Sequence, residues 1–184
     1  MRSIKKYFLF MVAFNLVVIA GFGYYFSTKL EISYEGLMVR EIATFEELLD
    51  HSPLVVEVMK TGRKKDLTIQ HAELTLSEVK IKQVLRGDSS LKNKMIQIIQ
   101  LREINLNDHE RGNRFVLFLT PHRGNITENG YFVTGVYQGK FEIDANNKLV
   151  YRADQHQGIK TFQDNVAQLT VTDLKRKIQS HLKS

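Results

Sequence analysis

Phe115-Val116-Leu117-Phe118-Leu119 is an unbroken apolar run, bounded by Arg114 on one side and Thr120-Pro121 on the other. A run this short with no polar face predicts a strand rather than a helix, and a central strand covered on both sides. Downstream, Tyr131, Val133, Gly135, Tyr137, Gly139 and Phe141 alternate on one face and mix large residues with two glycines. That pattern predicts one strand coiling sharply inside a small barrel. Ile143 and then Leu149 and Tyr151, separated by Asp144-Ala145-Asn146-Asn147, extend it as a hairpin.

Upstream of the apolar run, Asn105 to Asn113 reads as a polar turn region and Met95 to Leu101 as a strand. Leu54 to Lys60 is a first strand, and Thr61-Gly62-Arg63-Lys64-Lys65-Asp66 reads as the turn of a hairpin. In the return strand Ala72, Leu74 and Leu76 share one parity while Val79 and Ile81 share the other. The inward face therefore has to switch near Ser77-Glu78, which predicts a β-bulge of the kind that bends a strand around a barrel corner. A similar change falls between Ile98 and Ile99, and Arg86-Gly87-Asp88-Ser89-Ser90 breaks the chain between the two strands.

Two helices flank the strands. Thr44 and Glu47 have capping-box spacing, with Phe45, Leu48 and Leu49 as a short apolar stripe, and Ser52-Pro53 ends the helix. At the far end Thr172 is the expected cap of a helix whose stripe is Leu174, Ile178 and Leu182, with Lys175, Arg176, Lys177 and Lys183 lying mostly toward its favourable end. The expected fold is mainly β (α+β): a small closed or partly open barrel over residues 44–184 with a short helix before it and one after it.

Tyr7 to Phe26 runs without a charge and with Asn15 as its only amide, close to the ~20 residues a helix needs to cross a bilayer. Arg2, Lys5 and Lys6 precede it and the next charge is Lys29, so the positive-inside bias places residues 1–6 in the cytoplasm and the domain outside, after a linker over 27–43. Tyr24, Tyr25 and Phe26 at the interface favour a retained single-pass anchor. Val18-Ile19-Ala20 leaves open a secreted product made by signal cleavage.

The charge balance excludes one partner class. Of 26 basic residues three precede the apolar segment, leaving 23 against 20 acidic ones, a net of +3 for the rest of the chain. Nucleic-acid binders concentrate many phosphate-neutralising charges on one face, and so small an excess does not supply them. The absence of cysteine rules out disulfides, thiolate metal ligands, a cysteine nucleophile and a lipidated cysteine.

Four motifs carry a resemblance: Ser52-Pro53-Leu54-Val55-Val56-Glu57-Val58, Val84-Leu85-Arg86-Gly87-Asp88, Gly112-Asn113-Arg114-Phe115-Val116-Leu117-Phe118-Leu119, and Gly135-Val136-Tyr137-Gln138-Gly139-Lys140-Phe141. In this order, between Phe45 and Phe141, they resemble uncharacterised, membrane-anchored extracytoplasmic proteins of Gram-positive bacteria whose domain is similar to the tissue-inhibitor-of-metalloproteinase type of OB-fold barrel. The resemblance implies an OB-like fold and an extracytoplasmic compartment. Glu57 stands where the pattern usually has glycine, and the inhibitor's metal-directed cysteines have no counterpart here, so inhibition by that route is not implied.

No HExxH, GxSxG, SxxK or Walker spacing occurs, and no cofactor is expected. Among six histidines, His109 and His122 lie with Glu110 in the loops flanking Phe115 to Leu119, where they could converge as a metal or acid-base site. Arg63, Lys64 and Lys65 at a hairpin tip are the candidates for touching anionic lipid or an anionic wall polymer. The leading expectation is a membrane-anchored extracytoplasmic binding or assembly module with a protein partner. The alternatives are a hydrolase or metal-dependent enzyme with an unfamiliar site, and an electrostatic wall-polymer or lipid-surface binding protein.

Overall fold

The computed structural model describes residues 41–69, 71–102, 112–152 and 161–183. The expected anchor at residues 7–26, most of the linker, and His109 and Glu110 lie outside them. Among the described residues no helix is long and apolar enough to cross a membrane.

The described chain is mostly β, with seven strands in one sheet and a short helix at each end. Helix α1 (Phe45–Asp50) is followed by β1 (Leu54–Ile69), β2 (Ala72–Arg86), β3 (Met95–Leu101), β4 (Arg114–Pro121), β5 (Gly130–Val133), β6 (Lys140–Ile143), β7 (Leu149–Val150) and α2 (Val171–His181). The strand order is β1-β2-β3-β5-β4-β6-β7, and β1 also pairs with β4. The pairing β1-β2-β3-β5-β4 therefore returns to β1. All its contacts are antiparallel except β3 with β5.

Strand β4 is the centre, as its apolar run predicts. Phe115, Leu117 and Leu119 enter one cluster with Val56, Val58, Ile81, Ile96 and Ile98, while Val116 and Phe118 enter another with α1, β6 and α2. All five are wholly buried, and burying each such side chain contributes about 1.5–3 kcal/mol. Phe118 meets the edges of Phe45 and Phe141 at centroid distances of 6.1 and 5.9 Å.

On its other side β4 pairs with β5 through Leu119–Pro121 and with β6 through Phe115–Leu117. The single strand expected over Tyr131 to Phe141 is thus interrupted at Thr134–Gly139, and the interruption sits opposite Phe118. Thr134 N–H donates to the Phe118 carbonyl at 2.9 Å, Phe118 N–H to that of Gly139 at 2.9 Å, and Gly139 N–H closes the loop on Thr134 at 3.1 Å. A Cβ at Gly139 would lie 2.9 Å from Phe118 Cβ, so only glycine lets the loop close there. Val136, a β-branched residue at φ +63°, is held in strain of roughly 1–3 kcal/mol.

The hairpin also departs from expectation. Thr61 to Asp66 is not a turn but part of β1, which continues to Ile69 before the chain reverses around His71. Instead, the ladder with β2 skips between Lys60–Val79 and Lys64–Ser77, so that Thr61, Gly62 and Arg63 face Glu78 alone. Gly62 takes φ +78° there, and the Thr61 hydroxyl donates to the Glu78 carbonyl at 2.9 Å, replacing a lost ladder bond.

The bulge expected at Ser77-Glu78 is therefore carried by the partner strand. The β2–β3 register runs unbroken from Leu74–Leu101 to Lys80–Met95. The parity switches in β2 and β3 arise because opposite faces are buried at the two ends of the strands. Val79, Ile81, Ile96 and Ile98 belong to one cluster, whereas Leu74, Leu76 and Ile99 pack with Phe132 in a separate one.

At the ends, Thr44 caps α1 by accepting from Glu47 N–H at 3.1 Å, and the Glu47 carboxylate reaches back to Ala43 N–H at 2.9 Å. Arg86 donates to the Leu49 carbonyl at the end of α1, which also accepts from Ser52 N–H at 3.0 Å. Helix α2 starts earlier than expected: its cap is Thr170, in a reciprocal capping box with Asp173, because the bridge between Lys148 and Thr170 fixes that residue in extended geometry. Leu174 and Ile178 are buried in the main cluster, and Leu182 is left exposed. The hairpin around Asp144–Asn147 forms as expected, with Asp144 accepting from Asn146 and Lys148 N–H at 2.8 Å each.

Candidate functional site

The basic triplet Arg63, Lys64 and Lys65 lies along the exposed arm of β1. Successive strand residues point to opposite faces, so Lys64 and Lys65 do not present one basic surface. Arg63 is engaged by Glu78 at 3.4 Å. The arm carries charge without gathering it.

His122 follows β4 and is half-buried, its ring edge-on to Phe132 at 5.3 Å. A Cβ at Gly124 would lie 2.7 Å from the ring, so the loop wraps tightly around it. Neither ring nitrogen has a hydrogen-bond partner, and burial holds its pKa below the usual histidine range. A neutral, dry imidazole suits packing better than ligation. Among the described residues no group of three His, Asp, Glu or Cys side chains is placed to hold a metal ion.

Glu57 is nearly buried and finds its partner in Arg114. The guanidinium donates to one Glu57 oxygen through Nε and Nη2 at 3.1 and 2.9 Å and to Asn147 at 2.7 Å. The two residues lie on adjacent strands two register positions apart, and so on one face, with Glu57 opposite Val116 and Arg114 opposite Met59. A carboxylate is tolerated at this buried position because an arginine from the neighbouring strand neutralises it. Glu142, equally buried, is paired with Arg152 at 3.3 Å. Both nearly buried carboxylates are thus engaged by arginines.

A second polar group fastens the start of the domain. Gln138, at the crest of the Thr134–Gly139 loop, accepts from Ile42 N–H at 2.9 Å and donates to its carbonyl at 3.0 Å. The Thr161 hydroxyl donates to the same carbonyl at 2.9 Å. Ser52, Thr120 and Thr134 form a hydroxyl cluster beside it, with Ser52 donating to Thr134 at 2.9 Å and Thr120 donating to the His51 carbonyl at 2.9 Å. Gly139 and Phe141 of this stretch serve architecture, the one by its close approach to Phe118 and the other by packing against that ring.

Among the described residues, a groove of about 310 Å³ is lined by Glu78, Met95, Ile96, Gln97, Thr127, Glu128 and Asn129. Its floor is β3 where the β5 ladder begins, since Gln97 N–H donates to the Asn129 carbonyl at 3.0 Å. Beside it, Met95 pairs across to Lys80, Lys80 to Met59, and Met59 to Arg114. Directly paired residues share a face, so these four form one row across four strands. Met59 is 36% exposed and Met95 47%.

Reading the strands separately does not find this row. The only signal within each strand is that Met59, Lys80 and Met95 adjoin inward-facing Val58, Val79 and Ile96 and so face outward. No family model, no curated protein and no solved structure matches the chain.

Proposed function

We propose that this chain is a membrane-anchored extracytoplasmic binding or assembly module, its β1-β2-β3-β5-β4 ring an OB-like barrel and residues 7–26 its anchor. The observation that carries the binding reading is the groove beside β3 and the adjoining outward row of Met59, Lys80 and Met95. They lie on strands whose main-chain groups are already paired, a rigid platform presenting side chains to a partner. A hydrolytic reading draws less support, because His122 is dry and unpaired while the nearly buried carboxylates Glu57 and Glu142 are engaged by arginines. An electrostatic tether through Arg63, Lys64 and Lys65 is weakened because Lys64 and Lys65 point to opposite faces and Arg63 is engaged by Glu78.

Cross-linking in intact cells, followed by capture from the membrane fraction and intact-mass measurement, tests the reading. A reproducible protein partner with residues 7–26 still attached is the expected result. No partner together with a mass shortened by the N-terminal segment would overturn it and turn attention to a secreted enzyme.

A further inference from the structure

We infer that the Met59–Lys80–Met95 row is a docking strip for an amphipathic helix of a partner protein, one that presents a carboxylate flanked on both sides by apolar side chains. The inference rests on the binding-module reading and names the partner's chemistry.

Three observations point to that occupant. Lys80 sits midway between the two methionines and makes no ion pair among the described residues, so the strip has an unneutralised cation between two exposed apolar groups. A carboxylate set between apolar residues is its complement. Next, β1 is paired with both β2 and β4 at Met59, and β2 with both β1 and β3 at Lys80. No free strand edge exists at the centre of the strip, so strand addition is unavailable there and recognition must come from side chains.

Spacing selects a helix among side-chain ligands. Neighbouring strands lie about 4.8 Å apart, and helix residues three or four apart lie about 5–6 Å from one another. A helix crossing the strands can therefore set one residue against each of Met59, Lys80 and Met95 in turn. Arg114, next in the row, is engaged by Glu57 and bounds the strip on one side. On the other side the groove at Gln97 and Glu128 gives room for the helix to continue. Methionine, unbranched and polarisable, adapts to such a surface at small cost.

The test places a photo-cross-linking amino acid at Met59 or Met95 of the full-length chain in membranes of cells that carry it natively, with Leu182, exposed on α2, as the reference position. Cross-linked peptides from Met59 and Met95 are expected to map to one helical segment with the apolar-acidic-apolar pattern. Lys80→Glu should reduce both cross-links at least about tenfold, and reversing the partner's carboxylate to lysine should restore them. Lys80→Met, which removes the charge without adding repulsion, should give an intermediate loss and controls for misfolding. Adducts to lipid, to wall polymer, to a second copy of this chain, or to a segment indifferent to Lys80→Glu would overturn the inference. A partner captured only through Leu182 would overturn it while leaving the binding-module reading intact, and no protein adduct at any position would overturn both.

Discussion

Within the single strand β1, Leu54–Val58 and Lys64–Asp66 are held by different forces. The first stretch has neighbours on both edges and both faces: it pairs with β2 and β4 and is buried throughout. The second pairs with β2 alone among the described residues, past a three-residue irregularity, and is exposed at every position. Backbone pairing continues through both, yet only the first is buried on both faces. A strand can thus be extended well beyond its core by ladder hydrogen bonds, and substitution in the two halves should cost very different amounts.

The largest difference is expected from the core side of β4. Phe118→Ala should destabilise the domain by about 3–5 kcal/mol, whereas Lys65→Ala in the arm should stay within about 0.5 kcal/mol. Urea titrations of the two variants measure the contrast, and similar midpoints would break it.

The boundary between the halves is guarded by Arg114, which neutralises Glu57 and pairs with Met59. Arg114→Ala leaves a nearly buried carboxylate with no arginine, at a cost of about 1–3 kcal/mol. Adding Glu57→Gln should recover part of the loss, and a double-mutant cycle shows whether it does.

Gly62 probes the irregularity itself. A Cβ there meets nothing within 4 Å, so Gly62→Ala isolates the conformational penalty of φ +78°, about 1–2 kcal/mol. Amide exchange should quicken in Arg63–Ile69 and stay unchanged in Leu54–Val58.

The smallest effect is a pH dependence. His122 titrates below the ordinary value of 6.5 because its ring is desolvated, so the unfolded chain binds more protons in the window beneath that value. The stability it contributes is complete above pH 6.5 and is lost as the pH falls toward its folded pKa. His122→Gln should flatten the acid limb of a stability-against-pH curve, and an unchanged slope would assign that limb to other groups.

The elements that could be read from residues alone were those whose burial is uniform or whose signal is local. The β4 run has apolar side chains for both faces, so no alternative pairing hides it. The Asp144 hairpin and the α1 cap depend on side chains bonding backbone a few residues away. Thr61–Asp66 misleads because glycine and four charges in succession have turn composition, and only the ladder to Ser77–Thr75 extends the strand through them. The candidate strip was illegible for a related reason, since Met59, Lys80 and Met95 are far apart along the chain and come together only through register.

By itself the amino-acid order determined that the protein is mainly β, that Phe115–Leu119 lies at its centre, and where helices begin and end to within a few residues. These follow from periodicity and from short-range hydrogen bonds, which act over a few positions. Tertiary structure alone decided that β1 closes on β4, that the stretch expected as one strand from Tyr131 to Phe141 opens into the Thr134–Gly139 loop, and that Glu57 meets Arg114. Each of those depends on which strand lies alongside which and in what register, and register is settled by the packing of all the faces together rather than by any one segment.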